Sequence, residues 1–159
     1  IALDHLGCGL SSKPQKPQDY HLEQHIENLN KLLEHLKVDQ VTLLVHDWGG
    51  AIGLGWATRN LKRVKRLVLL NTAAFLSKDI PKRIHLLKTP YLGPWLIRKH
   101  NVFCRSATYM ASAKGLSQEV KEALLLPYNN YQNRIAVSSF VKDIPWSTKH
   151  RSYKTLQEI

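Results

Sequence analysis

Three features of the sequence predict an α/β protein built on a parallel sheet. Two short runs, "QVTLLVH" at 40–46 and "VKRLVLLN" at 64–71, are apolar, rich in β-branched residues and without alternation. That is the pattern of strands covered on both faces. A helical periodicity precedes the first run, and a small-residue segment from Gly49 to Arg59 separates the two. Strands alternating with helices imply right-handed crossovers and helices on the faces of the sheet.

Taken in order, "IALD" at 1–4 reads as a first short strand, and "HLGCGLSSKPQKPQD" after it as a loop rich in Gly, Ser and Pro. Leu22, Ile26, Leu29, Leu32, Leu33 and Leu36 recur at spacings of three and four and predict an amphipathic helix. "QVTLLVH" follows as a buried strand, Gly49 to Arg59 as a helix able to pack close to a sheet, and "VKRLVLLN" as a second buried strand. After Phe75 the pattern changes to amphipathic pieces broken by prolines, around 84–87, 95–103, 117–126 and 134–141. Ser117 is a good N-cap with Glu119 in the first turn. The expected organisation is a core segment over residues 1–75, a helical module over 76–150 lying above the carboxyl ends of the strands, and a return to the core from 151 to 159. The chain opens in what reads as a strand already under way and closes in what reads as an unfinished helix, the expectation for a segment of a longer protein.

The chain has 159 residues and a formal net charge of +11, unevenly placed. Residues 1–75 carry +2 and residues 76–159 carry +9. A basic half suits nucleic acid, an anionic surface or a solvated face. No nucleic-acid-binding motif accompanies it, so the solvated face is the reading taken and no nucleic-acid partner is expected. No apolar run approaches the length of a membrane span, and no signal-peptide pattern is present. Cys8 and Cys104 form neither a CxxC pair nor a disulfide framework, which suits a reducing, cytoplasmic setting. Oligomeric state has no signature here.

The stretch "TLLVHDWGGAIGLGWA" at 42–57 places an acid where an apolar strand meets two glycines. Burying an unpaired carboxylate is costly, so Asp47 needs a structural or chemical reason. In an open α/β sheet, ligands bind beyond the carboxyl ends of the strands. A sharp strand-to-helix turn there pushes one side chain into the site and demands small neighbours. This is the nucleophile elbow, usually G-x-S-x-G. Here it reads Val45-His46-Asp47-Trp48-Gly49, with Asp in place of Ser and Val in place of the first Gly. The competing reading of Asp47 is a helix N-cap, and that of Trp48 is packing. His46 follows Val45 on the opposite strand face and reads as structural. His21 and His25, four residues apart, could hold a metal, but no third ligand appears nearby. They read as a polar helix face, and no metal or cofactor is expected.

The residues "HDWGGAIGLGWA", with "DHLGCGLS" before them and "RLVLLNTAAF" after, resemble the α/β-hydrolase superfamily, in the branch of haloalkane dehalogenases and epoxide hydrolases. Within that branch "NTAAF", "NVFCRSA", "LLLPYNNYQNRIAVSSFVKDIP" and "SYKTL" look most like the dehalogenase-like β-lactone decarboxylases of long-chain olefin synthesis. The resemblance implies an α/β-hydrolase fold with a helical cap over residues 76–150, and an enzyme in which Asp47 attacks an alkyl carbon or a strained ring and forms an ester. It implies that Trp48 stabilises a leaving group or an oxyanion. It implies a small hydrophobic substrate, and of the cap aromatics Trp95, Phe103, Tyr128, Phe140 and Trp146 some are expected to face Asp47. Tyr91, Tyr109, Tyr128 and Tyr131 could serve as acids in an epoxide-type mechanism, but packing is the reading taken for each. The family's early oxyanion loop and its late acid and histidine have no counterpart here, so the chain by itself is expected to lack hydrolytic turnover. A non-catalytic binding protein on the same fold is the alternative from another class; the intact elbow argues against it.

Overall fold

The computed structural model describes residues 1–77 and 80–159. Residues 78 and 79, inside the segment expected to be helical, lie outside the described residues. The chain divides into two compact units: residues 1–20 with 80–142, and residues 21–79 with 143–159.

The second unit holds the sheet. Strands β1 (Val41–Val45) and β2 (Val64–Leu69) pair in parallel, with Thr42 opposite Arg66 through Val45 opposite Leu69 and an irregularity between Val41 and Thr42. Helix α1 (Leu22–His35) precedes β1 and helix α2 (Trp48–Arg59) joins the strands. The expected heptad-like face of α1 is buried at Leu22, Ile26, Leu29 and Leu33, while Leu36 lies beyond the last turn and is exposed. α1 meets the small-residue side of α2: a methyl group on Gly55 would lie 2.4 Å from Ile26 Cδ1. Trp56 is fully buried and donates its indole N–H to Asn30 Oδ1 at 3.0 Å.

Two sequence expectations need correction. Ile1–Asp4 is not in the sheet; its residues are exposed, and Asp4 instead closes the following turn by accepting the Leu10 N–H at 2.9 Å. The strands also are not buried on both faces. Val41 and Val45 are buried, but Leu44, Leu67 and Leu69 are exposed, because the two-stranded sheet has no second covering layer among the described residues.

Helix α8 (Arg151–Gln157) completes this unit. It is fastened by Asp143, which is 1 % exposed and stands at the end of helix α7 (Ile135–Asp143). Its carboxylate accepts the Leu22 N–H at 2.7 Å, the Ser152 hydroxyl at 2.8 Å and Arg151 Nε at 3.1 Å. A buried charge is tolerable only when fully partnered in this way. On the same side Glu23 forms a bidentate pair with Arg59 and accepts the Thr155 hydroxyl at 3.2 Å. The Arg59 guanidinium holds the Glu23 carboxyl below its usual range.

The other unit is helical: α3 (Lys82–Lys88), the short α4 (Leu92–Pro94) running into a π-helical turn (Trp95–Lys99), α5 (Val102–Met110), α6 (Gln118–Leu125) and most of α7. Ser117 caps α6, accepting the Val120 N–H at 3.4 Å. Leu87, Ile97, Val137 and Val141 form its apolar centre. Arg134 spends its guanidinium on the Tyr128 carbonyl at 2.6 Å and the Arg98 carbonyl at 2.7 Å, tying two helix ends together. Gly7 has φ of +84°, and a side chain there would lie 2.3 Å from Ala136 Cβ, so the early loop packs without space to spare.

Replacing Asp143 by Ala leaves three donors without their acceptor. Urea unfolding should show a loss of about 3 kcal/mol, and Asp143→Asn a smaller loss because an amide oxygen still accepts the Leu22 N–H.

Candidate active site

The site is built at the carboxyl end of β1. The ladder runs past β2 itself: the Leu70 N–H donates to the Val45 carbonyl at 2.9 Å and the Asp47 N–H to the Asn71 carbonyl at 3.2 Å. The strand is thus held up to the residue that must turn. The His46 carbonyl then accepts the Gly49 N–H at 2.8 Å, closing a four-residue turn with Asp47 second. Asp47 has φ of +47° and ψ of −127°, close to the roughly +60°, −120° of that position in a type II′ turn. Glycine normally occupies it, because a Cβ is strained there.

Three contacts hold the strain. The Asp47 carbonyl accepts the Thr72 hydroxyl at 2.5 Å and the Gly50 N–H at 3.0 Å, and the Asp47 N–H is bound by Asn71. Asp47 stands at the N-cap position of α2, yet its side chain makes no capping hydrogen bond, and the residue is exposed. A carboxylate at the start of a helix gains from the helix dipole without being spent on the backbone. Trp48, the first residue of α2, is half-buried beside it.

Of the two glycines after the tryptophan, the second is the tight one. A methyl group on Gly50 would lie 1.8 Å from Thr72 Oγ1, and one on Gly53 would lie 2.6 Å from Val45 Cγ1. On Gly49, the glycine of the sequence motif, it would meet no described atom within 4 Å. Sequence reasoning missed Thr72 and Asn71 as parts of the elbow. Their signal was position, the carboxyl end of the neighbouring strand in "NTAAF".

The aromatics expected to bind substrate are divided between the units. Phe103 and Tyr128 come together against Leu87, Ile97, Val137 and Val141, and Phe140 is buried on α7. Trp95 is half-exposed, with its ring edge-on to His100 at 4.3 Å between centroids. Trp146 belongs to the unit that holds Asp47 and is half-exposed. The Tyr128 hydroxyl accepts the Gly9 N–H at 3.3 Å and bonds the Cys8 thiol. Burial pushes that phenol up to about 12, pushes Cys104 up to about 11, and raises Cys8. Packing describes Tyr128 but not Tyr91, which is 92 % exposed, nor Tyr109 and Tyr131, which lie on the surface beneath Lys121 and Arg98.

The histidine pair is not a polar helix face. His21 is the N-cap of α1, its Nδ1 accepting the Gln24 N–H at 2.9 Å, and His25 is buried. Among the described residues no three His, Cys, Asp or Glu side chains gather as a metal site.

Comparison with known proteins places the elbow in its context. The profile of the alpha/beta hydrolase fold family matches residues 1–152. The chain belongs to that family. It is 41 % identical to a cis-3-alkyl-4-alkyloxetan-2-one decarboxylase of Shewanella oneidensis, over 100 % of this chain and 52 % of that protein. It is 40 % identical to the enzyme of the same name from Xanthomonas campestris, over 99 % of this chain and 56 % of that protein. A crystal structure of a mutant of the haloalkane dehalogenase DatA from Agrobacterium tumefaciens superposes with a TM-score of 0.85 at 25 % identity, covering 98 % of this chain and 55 % of that one. The chain therefore spans about half the length of the relatives it matches.

Two measurements test the local geometry. Gly50→Ala should cost about 1–3 kcal/mol in urea unfolding, since Thr72 must move, whereas Gly49→Ala should be neutral or stabilising by up to about 1 kcal/mol. The half-buried thiols should resist alkylation. With Cys104 near 11 instead of its ordinary 9.0, iodoacetamide at mildly alkaline pH should modify it about 100-fold more slowly in the folded protein than in urea. The folded state holds this proton more tightly than the unfolded state. Its contribution to stability is therefore complete below pH 9.0 and lost as the pH rises to about 11.

Proposed function

We propose that Asp47 is the nucleophile of an enzyme that attacks an alkyl carbon of a hydrophobic substrate and forms an ester with it. The observation that carries this is the strained turn: Asp47 sits at φ +47° with an exposed carboxylate that caps nothing. A residue needed only as a helix cap would use its oxygens on the helix N–H groups, and one needed only for the turn would be glycine.

The preferred substrate is a β-lactone carrying alkyl chains, by analogy with the names of the relatives that align over the full length of this chain. Attack of the Asp47 carboxylate on the ring carbon that bears the ring oxygen breaks that C–O bond and frees a carboxylate on the substrate. Cleavage of the adjoining C–C bond then releases carbon dioxide. Its electron pair forms the alkene, and the Asp47 carboxylate departs unchanged. The sequence balances without water. Trp48 is proposed as the donor that steadies the developing carboxylate, its indole N–H being a donor only. The helical segment from 76 to 150 is proposed as the cap, with Trp95, Phe103, Tyr128, Phe140 and Trp146 supplying apolar wall. A second reading, displacement of halide from a haloalkane followed by hydrolysis of the same ester, is supported by the structural likeness to a dehalogenase.

In the intact protein Asp47→Asn should abolish alkene and carbon dioxide release from a cis-dialkyl β-lactone, followed by gas chromatography. Asp47→Gly should abolish turnover yet raise the unfolding free energy by about 1 kcal/mol, because relief of strain exceeds the entropy cost of glycine. Undiminished turnover in Asp47→Asn would exclude nucleophilic catalysis. Halide release from a haloalkane without alkene from the lactone would select the second reading.

A further inference from the structure

We propose that the helical segment of residues 82–110 docks on the surface of an anionic phospholipid bilayer, with Tyr91 as its aromatic anchor. The inference does not depend on the chemistry assigned to Asp47.

From Ile80 to Gln118 the chain carries seven lysines and arginines and no aspartate or glutamate. Lys88 is buried on the Lys142 carbonyl, but Lys82, Arg83, Lys99 and Arg105 are exposed. Among the described residues no carboxylate pairs with any of these four. Interleaved with them are Leu86 and Leu92, 49 % and 44 % exposed, and Tyr91 at 92 %. Cations alternating with apolar and aromatic side chains suit the headgroup layer of a membrane, where aromatic rings settle and Lys or Arg meet anionic lipid.

Tyr91 is not exposed by accident of a slack loop. The Leu92 N–H donates to the Pro90 carbonyl at 2.6 Å around Tyr91, whose φ is +62° and ψ −55°. This is a γ-turn of the rare positive-φ hand, strained for any residue with a Cβ. The Gly93 N–H to Thr89 carbonyl bond at 3.0 Å and the Trp95 N–H to Tyr91 carbonyl bond at 3.0 Å lock it. Gly93 is held so close that a Cβ would lie 1.9 Å from the Leu87 carbonyl oxygen. The backbone is thus fixed in a costly shape whose visible result is a tyrosine held out in water.

A bilayer fits better than the alternatives. A second copy would set one acid-free cationic segment against another, and charge repels it. An acidic protein would satisfy the cations but gives no use for a projecting tyrosine between leucines. No described helix is long and apolar enough to cross a membrane, so the contact lies on the surface.

Co-sedimentation of the intact protein with vesicles of mixed phosphatidylcholine and phosphatidylserine, against pure phosphatidylcholine, tests this. Binding should require phosphatidylserine and weaken at high salt. Replacing Lys82 and Arg83 by Gln should weaken it about 25-fold, about fivefold for each cation. Tyr91→Ser should weaken it several-fold and Tyr91→Trp should restore it, circular dichroism confirming the fold of each. Polyglutamate serves as a charge-only probe. Equal binding to polyglutamate and vesicles with no effect of Tyr91→Ser would overturn the proposal in favour of an acidic protein partner. Absence of vesicle binding, or equal binding to pure phosphatidylcholine, would overturn it as well.

Discussion

The peptide plane between Asp47 and Trp48 is the constraint on which the candidate site depends. Its carbonyl accepts two donors, the Thr72 hydroxyl and the Gly50 N–H, while the Asp47 N–H is held by Asn71. With both sides of the residue fixed, φ is held at +47° and the side chain is left exposed. The rest of the second unit serves that arrangement. The chain beyond β2 presents Asn71 and Thr72, Gly50 gives Thr72 room, and Gly53 lets α2 settle on Val45. Strain of this kind persists only where the surroundings over-determine it, and here they do so with backbone groups and one hydroxyl.

Much of this was legible in the sequence, and the limits have physical causes. Local periodicity gave α1 and α2 within a residue or so, because apolar spacing and small residues report directly on which face packs. The elbow was legible because an acid between a branched apolar run and two glycines has few structural explanations. The identity of the tight glycine was not. Gly49 and Gly50 are adjacent and alike, and only the position of Thr72, far along the chain, separates them. "IALD" failed for a related reason: a strand exists only with a partner, and four apolar-looking residues cannot report whether one is present. The buried Asp143 was invisible because its three donors come from residues 22, 151 and 152. Histidines at i and i+4 suggested a polar stripe, yet one caps α1 and the other is in the core.

The helical unit shows a different use of polar groups. Arg134 is spent on carbonyl oxygens and Tyr128 on a backbone N–H and a thiol, so both support chain ends that no regular helix satisfies. Such residues look functional in a sequence because they are large, polar and set among apolar neighbours. Their hydrogen bonds show instead that the irregular joints between short helices require them. Tyr91, with nothing packed around it, is the opposite case.

The interleaving of the two units has a consequence for how the chain comes together during synthesis. Each unit is made of two separated stretches. Residues 1–20 emerge before Ile80–Lys142, with which they pack. α1, β1, α2 and β2 form a contiguous run that can associate while still short, but the carboxylate that receives the Leu22 N–H lies 121 residues later. Contacts of such separation are closed late and slowly. Until Asp143 arrives, the start of α1 lacks its acceptor.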